Sequence, residues 1–441
     1  MKNQISTTEQ LSNLIEFRQK IYQALSQYGD AQFELVDGLL SSPRINSFAE
    51  ISLSPLFQRG WNSAYAAIEN GQQQEAALSQ HLCQYLAGNE IRVYAVDSTV
   101  WPHPSARTLA GLMYAYSPSK AKSKRSVVKG HIYSLLTWNP ERGSSWALPL
   151  DSQRVMVGQT VIETGVIQVK AHCRLCQEQG ISGLMVITVD GQYGTHRFLR
   201  PLRDENCLIV ARLRRDRVLY GPPPTYQGLG RPRLHGDRFA FKEPDRWPEP
   251  DEQYDLTDER WGQVRLRGWS NLHPKQAADT PFTAIYAEVR LERDKRPTPI
   301  WLAFAGETQH SILDAWRWFD QRWPIEPSIR FRKQHLHWTR PAFQQAERCD
   351  RWTRLVDLTY WHLFLARHLV YDQPLPWQRP LVNLTPGRIR QSLGVLFALI
   401  GSPTRPVQPR GKSPGWPSAK PRTRPRRYKP FLRGKKSPKT A

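Results

Sequence analysis

The sequence lacks any long apolar run. No hydrophobic stretch in its 441 residues approaches the ~20 residues that a membrane-spanning helix needs. The first ten residues, MKNQISTTEQ, are polar and do not have the apolar centre of a signal peptide. We therefore expect neither a membrane span nor a cleaved leader, and we place the protein in the cytoplasm, associated with the nucleoid.

Cysteine is also scarce. The chain has five cysteines, an odd number at irregular spacing, which argues against a disulfide framework. A reduced, intracellular compartment is the usual setting for such thiols. Hydrophobic residues make up 39% of the chain, so it can form two or three domains with buried cores and is not simply a disordered basic protein.

Acidic residues are absent from the C-terminal part of the chain. From Gln373 onward there are sixteen Lys and Arg residues and no Asp or Glu, whereas the first 372 residues carry 46 bases against 39 acids. Most of the formal net charge of +23 is therefore C-terminal. A cation field of this size favours a polyanionic partner, with nucleic acid as the leading candidate and an anionic membrane surface as the weaker one.

Changes of pattern along the chain predict four regions. Helical periodicity predicts a helical domain over residues 1–90, for which binding of DNA ends is the candidate role. Strand and helix patterns then predict an α/β domain over 91–340, with a β-rich insertion at about 218–305. A helical region follows over 341–400. The basic, proline-rich tail over 401–441 cannot bury a core, so we expect it to be disordered.

Two aspartates follow apolar strands of the predicted α/β domain. Asp97 ends the run IRVYAVD, and Asp190 ends the run GLMVITVD. Ligands of open α/β sheets bind at the carboxyl ends of the strands, so this pair is a candidate metal site. The ordinary role of a single Asp in such a position is to cap a turn, and it is the pair that favours metal binding.

A third acid, Glu326, stands in the cation-rich stretch FDQRWPIEPSIRFRKQ. A carboxylate surrounded by cations is typical of a metal ligand beside a phosphate track. The alternative is a solvated basic helix face with one incidental acid. With Asp97 and Asp190, Glu326 can hold two divalent ions roughly 3.5–4 Å apart for attack on a phosphodiester.

The spacing around this acid resembles a known signature. Phe319, Arg322, Glu326 and Lys333 stand at aromatic-x2-Arg-x3-Glu-x6-Lys, which resembles the Y-R-E-K signature of the DDE transposases of bacterial insertion sequences. The two aspartate strands and the β-rich insertion also look like the RNase H-like catalytic domain of that family. The similarity covers residues 92–340. One departure is that the signature tyrosine is Phe319 here, which keeps the ring and loses the hydroxyl.

The resemblance implies an α/β protein whose core is an RNase H-like mixed sheet and whose activity is DNA transposition. Asp97, Asp190 and Glu326 would be both the catalytic residues and the ligands of two Mg²⁺ ions, for which Mn²⁺ can substitute. One site would then carry out cleavage and strand transfer of an insertion sequence. Arg322 and Lys333 would bind the phosphates of double-stranded DNA, both at the element ends and at the target, with a homodimer assembled on the DNA.

A basic loop supplies further candidate DNA contacts. Lys122, Lys124 and Arg125 precede the predicted strand GHIYSLLTW, close to the proposed site. Such a run is often a solvated loop, and beside a site that must hold DNA it also suits contact with phosphates.

Two other functions stay open at this stage. The first is a domesticated DNA-binding protein whose catalytic core is inactive, although its acids are intact. The second is a two-metal nuclease that cleaves nucleic acid without strand transfer. Analysis of the reaction products separates the second from a transposase.

Overall fold

The computed structural model describes residues 6–88, 90–116, 127–228, 230–290, 298–408 and 426–432. These residues form a mixed α/β fold with one large sheet. The helices are α1 (Thr7–Gln23), α2 (Gly29–Ser41), α3 (Trp61–Asn70), α4 (Glu75–Gln84), α5 (Val161–Glu178), α6 (His196–Leu199), α7 (Ile312–Asp320), α8 (Ile325–His335), α9 (Ala346–Ala366) and α10 (Pro386–Ile400). Among the described helices, none is long and apolar enough to cross a membrane.

The strands follow the helical N-terminal region, apart from one short pair within it. They are β1 (Leu25–Gln27), β2 (Gln72–Gln73), β3 (Ile91–Pro102), β4 (Met113–Tyr116), β5 (Val127–Asn139), β6 (Leu148–Arg154), β7 (Leu184–Val189), β8 (Leu208–Leu213), β9 (Val218–Tyr220), β10 (Arg238–Ala240), β11 (Glu252–Asp258), β12 (Gly262–Leu272), β13 (Phe282–Arg290), β14 (Thr298–Ala305) and β15 (Phe431–Leu432).

Eleven strands of the described residues share one sheet. Their order is β11-β12-β13-β14-β8-β7-β3-β5-β4-β15, and β6 pairs with β5 beside this path. Strand β7 runs parallel to β3 and to β8, and β15 runs parallel to β4, whereas the other neighbours are antiparallel. The mixed α/β class predicted from the sequence is therefore confirmed.

Strand β3 lies inside the sheet and is apolar on both faces over its first half. Val93 packs into the core that contains α7, whereas Tyr94 and Val96 pack into the opposite core. Burial on both faces is what the unbroken apolar run of such a strand requires. Helices α5 and α7, which flank the sheet, each begin with a capping box that pairs a Ser or Thr hydroxyl with an acid three residues later.

The strand-rich segment between β8 and α7 extends the main sheet. Strand β14 pairs antiparallel with β8, and β13, β12 and β11 continue outward from it. Val264 and Leu266 of β12 lie in the same core as Ile312 and Trp316 of α7. Helix α7 therefore packs over both the sheet strands that precede this segment and the strands of the segment itself.

The N-terminal helices share a core with the C-terminal helices. Phe17 of α1 packs near Trp361 of α9, with 6.4 Å between ring centroids. A buried ion pair joins α1 to α2, with 2.7 Å from Arg18 Nη1 to Asp37 Oδ1. The Arg18 guanidinium also donates to the carbonyl of Gly401, at the end of α10. These contacts fix α1 and α2 against the end of the C-terminal helical region.

Two segments of the basic tail contact the folded part of the protein. The Arg59 guanidinium donates to the carbonyl of Arg405 at 2.8 Å, and β15 pairs with β4. Backbone groups of residues 401–408 and 426–432 thus have partners on the folded part, and the disorder expected for the tail stays a prediction. The rest of the tail lies outside the described residues.

Candidate active site

Three acids from separate elements line one cavity of about 920 Å³. Asp97 comes from β3, Asp190 follows β7, and Glu326 lies in the first turn of α8. Basic side chains line the same cavity, namely Arg212, Arg214, Arg215, Arg322 and Lys333. The cavity therefore combines oxygen ligands with a cationic wall.

The strand register brings the two aspartates to one level. In the parallel pairing of β3 with β7, Val96 is opposite Val189, so the next residue along each chain is an aspartate. Strand β3 does not end at Asp97 as the sequence predicted. It continues to Pro102, because the polar residues after Asp97 still pair with β5.

The pleat of β3 directs Asp97 toward helix α8. Ala95 packs with Ile325, the first residue of α8, in a small core of its own. Residues two apart on a strand share a face, so Asp97 is on the face where Ala95 meets α8. Glu326 directly follows Ile325, which explains why a residue from a distant part of the sequence reaches the aspartates.

Arg322 lies between two of the acids. Its Nη2 donates to Glu326 Oε1 at 2.9 Å, and its Nη1 lies 3.6 Å from Asp97 Oδ2. The guanidinium is largely buried, and its Nη1 has no hydrogen-bond partner within the described residues. One cation thus neutralises part of the charge of both carboxylates.

The Asp97 carboxyl is the most strongly perturbed acid of the cavity. Burial, together with the charges of Asp190 and Glu326, raises its pKa to about 6, although Arg322 and the Ser98 N–H act in the opposite direction. A buried carboxylate beside two other acids carries unbalanced negative charge. Such a group gains from a nearby cation.

Lys333 is held on the same face of β3. Its Nζ donates to Thr99 Oγ1 at 2.5 Å and to the carbonyl of Val100 at 2.9 Å. Burial, aided by the neighbouring charge of Arg332, lowers the pKa of this ammonium to about 8. An ammonium has three N–H donors, so one of them stays available to a ligand in the cavity.

Helix α8 is anchored at both of its ends. At the preceding turn, the Asn139 amide donates to the carbonyl of Gln321, and the Gln321 amide donates to the carbonyl of Asn139. Near the other end, the buried guanidinium of Arg332 pairs with Asp357 of α9. These bonds fix the position of Glu326 relative to the sheet.

The turn after β7 depends on a close backbone approach. The Asp190 side chain accepts a hydrogen bond from the Gln192 N–H at 2.9 Å, and Gly194 ends this turn against β8. A Cβ atom on Gly194 would lie 1.9 Å from the carbonyl oxygen of Arg212. No side chain fits at that distance, so glycine is needed there.

We expect Gly194→Ala to destabilise the fold by roughly 2 kcal/mol or more, because the turn that carries Asp190 would have to move away from β8. Gly191→Ala is the matched control, since a Cβ there would meet Arg212 only at 3.9 Å. Urea unfolding followed by tryptophan fluorescence measures both variants. Equal stabilities of the two variants would contradict the close approach.

The remaining predicted site residues have different outcomes. Lys122, Lys124 and Arg125 lie outside the described residues. Phe319 is buried in the core beneath α7, and the Arg322 guanidinium lies 5.8 Å from its ring centroid. The Phe319 ring therefore packs against the Arg322 guanidinium, and this packing does not need a hydroxyl.

Sequence reasoning missed the basic residues at the end of β8. Arg212, Arg214 and Arg215 line the cavity, and burial lowers the pKa of Arg212, with the charges of Arg322 and Arg215 acting in the same direction. The run ARLRR was the available signal. It begins within β8, which runs parallel to β7, and ends just beyond it, so it lies at the same edge of the sheet as Asp190.

The three acids are not in contact as a ready metal cluster. In the described part of the chain, the only group of three ligand atoms within 4.8 Å of one another comes from His103, His131 and Cys349. Arg322 lies between two of the acids, 3.6 Å from Asp97 Oδ2 and 2.9 Å from Glu326 Oε1. Sharing one ion would require the guanidinium to leave this position.

Comparison with known families gives one match. Residues 20–273, more than half of the chain, match the family model described as DDE superfamily endonuclease. The match starts within α1, spans the positions of Asp97 and Asp190, and ends before Glu326. A search of curated proteins found no match. The large mixed sheet is consistent with the RNase H-like fold of DDE nucleases.

Proposed function

The chain belongs to the DDE superfamily endonucleases, and we propose that it is the DNA transposase of an insertion sequence, cleaving at the element ends and joining them to a target. The family supports a nuclease-type enzyme with DNA as its substrate. The observation that carries the finer proposal is that Asp97, Asp190 and Glu326 line a single cavity together with five basic side chains.

The acids fit a divalent metal by their chemistry. Three carboxylates offer the hard oxygen ligands that Mg²⁺ prefers, and such sites leave room for water and for phosphate oxygens. Burial, followed by the charges of Asp190 and Glu326, raises the pKa of Asp97, and a bound cation would favour its ionised form. We therefore assign Asp97, Asp190 and Glu326 as the residues that would hold two Mg²⁺ ions, with Mn²⁺ able to substitute.

The basic side chains have separate roles in this proposal. Arg322 would exchange its bonds to Asp97 and Glu326 for a bidentate contact with a DNA phosphate, which guanidinium groups favour. Lys333, oriented by Thr99 and Val100, would direct its remaining N–H to the same backbone. The arginines at the end of β8 would extend the phosphate track away from the acids.

The chemistry follows from this placement. A divalent metal bound there would supply an activated attacking oxygen and stabilise charge on the phosphate. Asp97, Asp190 and Glu326 would hold this metal between β3, β7 and α8, while Arg322 and Lys333 would hold the oxygens of the phosphodiester in place. The same cavity would first accept water and then the 3'-hydroxyl of the element end. The family model does not distinguish the Y-R-E-K subgroup, and the spacing of Phe319, Arg322, Glu326 and Lys333 is what supports it.

A joining assay tests the proposal. Purified full-length protein is incubated with Mg²⁺, a plasmid carrying the DNA that flanks its gene, and a second plasmid as target, and the products are sequenced. We expect cleaved ends joined to the target. Asp190→Asn and Glu326→Gln should lose both steps and keep DNA binding, because phosphate contacts from Lys and Arg supply most of the affinity. Glu249→Gln, at an exposed acid outside the cavity, is the control that should stay active.

Each other result replaces the proposal with a definite alternative. Cleavage that depends on the acids and never yields joined products identifies a nuclease without strand transfer. Binding without cleavage, on flanking DNA that carries inverted repeats, identifies an inactive DNA-binding protein. Cleavage that survives in either acid variant removes that residue from the site.

A further inference from the structure

A second cluster of ligand-type side chains lies outside the lining of the acidic cavity. His103 directly follows β3, His131 lies in β5, and Cys349 lies in the first turn of α9. One ligand atom from each of the three lies within 4.8 Å of the other two. Their residues are buried, with 6%, 0% and 0% of their surfaces exposed, respectively.

Both imidazoles carry a buried nitrogen without a hydrogen-bond partner in the described residues. These atoms are Nε2 of His103 and Nδ1 of His131. Buried polar atoms of side chains are normally paired, so two orphan nitrogens in one cluster need a cause. An ion between the rings and the thiol would give both nitrogens a partner.

The other nitrogen of His131 is already bonded as a metal ligand would be. Its Nε2 lies 2.9 Å from the carbonyl oxygen of Ala110 and donates to it when this nitrogen carries the proton. That bond places the lone pair on Nδ1, the orphan atom. A metal-bound histidine commonly donates its second N–H to a backbone carbonyl in this way, which fixes the ring and its tautomer.

The ring of His103 is also fixed in place. It stacks on Trp101 with 5.2 Å between centroids and meets His131 edge to face at 5.1 Å. Each ring therefore has a fixed orientation and keeps one buried nitrogen that has no hydrogen-bond partner in the described residues.

We propose that His103, His131 and Cys349 form a zinc site that joins β3 and β5 to α9. Imidazole nitrogen and thiolate sulfur are the donor set that zinc takes in proteins, whereas Mg²⁺ prefers oxygen. The three side chains fill three of the four positions of tetrahedral zinc, and a water takes the fourth. On binding, the Cys349 thiol loses its proton to solvent as the zinc–sulfur bond forms.

The position of the site gives it a structural role. His103 directly follows β3, the strand that carries Asp97. Cys349 lies in α9, which also carries Asp357, the ion-pair partner of Arg332 in α8. Zinc would therefore tie the strand of the first acid to the helix that supports the third. The site is separate from the acidic cavity and does not depend on the proposed transposase activity.

Metal analysis of the full-length protein tests the site. The protein is purified without added chelator, and zinc is measured by mass spectrometry of the metals. We expect about one zinc per chain that remains in the Asp97→Asn, Glu326→Gln double variant, which excludes binding by the acids. Cys349→Ser should lose it. Cys207→Ser, at a buried cysteine outside the cluster, should retain it.

A spectroscopic measurement identifies the ligands. Co²⁺ loaded in place of zinc should give the intense near-ultraviolet band of a cobalt–thiolate bond in the wild type and in Cys207→Ser, and should lose it in Cys349→Ser. His103→Gln keeps the thiol and should bind zinc at least ~10-fold more weakly. If Cys349→Ser does not fold, two other measurements still decide whether the site binds zinc. They are the zinc affinity of His103→Gln and the change in melting temperature of the wild-type protein when a chelator removes the metal. Absence of zinc and of the thiolate band in the wild type would overturn the proposal.

Discussion

Asp97→Asn is expected to abolish DNA cleavage while making the folded protein more stable. In the proposed function Asp97 holds metal at the reacting centre, so its loss should lower the cleavage rate by roughly 10³-fold or more. The same change removes a buried charge whose pKa is raised from 3.8 to about 6, an unfavourable contribution of up to about 3 kcal/mol at neutral pH. A residue that lowers the stability of the folded protein is expected at a functional site.

The pH dependence fixes the sign of this effect. In the unfolded chain the carboxyl of Asp97 ionises near its usual pKa of 3.8, whereas in the fold its pKa is about 6. The destabilisation of the fold by the ionised Asp97 carboxyl is absent below pH 3.8, grows between pH 3.8 and about pH 6, and is complete above pH 6. The advantage of Asp97→Asn should therefore be largest at pH 7 and shrink as the pH falls to 4.

Thermal unfolding at pH 4 and pH 7, with and without Mg²⁺, measures both parts of this prediction. Added Mg²⁺ should stabilise the wild type and have little effect on the variant, because an ion that binds the folded state raises its stability. Glu249→Gln should behave as the wild type throughout. An Asp97→Asn variant that is less stable than the wild type at pH 7 would show that Arg322 depends on this carboxylate more than burial disfavours it.

Asp357→Ala is expected to cost about 3–5 kcal/mol of stability, the usual result of removing one partner of a buried ion pair. The Arg332 guanidinium is fully buried, and two of its nitrogens, Nε and Nη2, have no hydrogen-bond partner in the described residues. Asp357 is its ion-pair partner. Removing that carboxylate leaves an uncompensated cation in α8, so the helix that carries Glu326 should separate from α9.

A double variant separates lost charge balance from lost packing. Arg332→Met combined with Asp357→Leu replaces the pair with apolar side chains of similar size and should recover most of the stability. Asp255→Ala breaks an exposed pair with Arg265 and should change stability by ~1 kcal/mol or less. Urea unfolding of these variants is the measurement. If the double variant is as unstable as Asp357→Ala, packing at this position explains the loss and the buried charge does not.

Part of the site could be predicted because strand geometry follows simple rules. An apolar run followed by Asp, found twice, indicated neighbouring strand ends, and the parallel register of β3 and β7 does bring Asp97 and Asp190 to one level. Glu326 was found through its spacing to Arg322 and Lys333. Its approach to the aspartates depends on the contact of Ala95 with Ile325, and side-chain packing of that kind leaves no local pattern.

Other features depend on tertiary contacts that no local pattern encodes. The sequence ended β3 at Asp97 because polar residues follow, but pairing with β5 carries the strand on to Pro102. A solvated basic helix face was the alternative for the stretch that contains Arg332, yet Arg332 is fully buried against Asp357. In each case a distant partner satisfies a polar group, and that partner overrides the local preference for solvent.

The parallel pairing of β3 with β7 limits where the chain can gain or lose residues. One residue inserted before Asp97 within β3 would turn every later side chain of the strand to the opposite face, carrying the carboxylate away from α8. An extra residue between β9 and β10 would alter only the connection between two short strands of a separate sheet. Homologues should therefore differ in length around residues 221–237 and agree in length across residues 91–97.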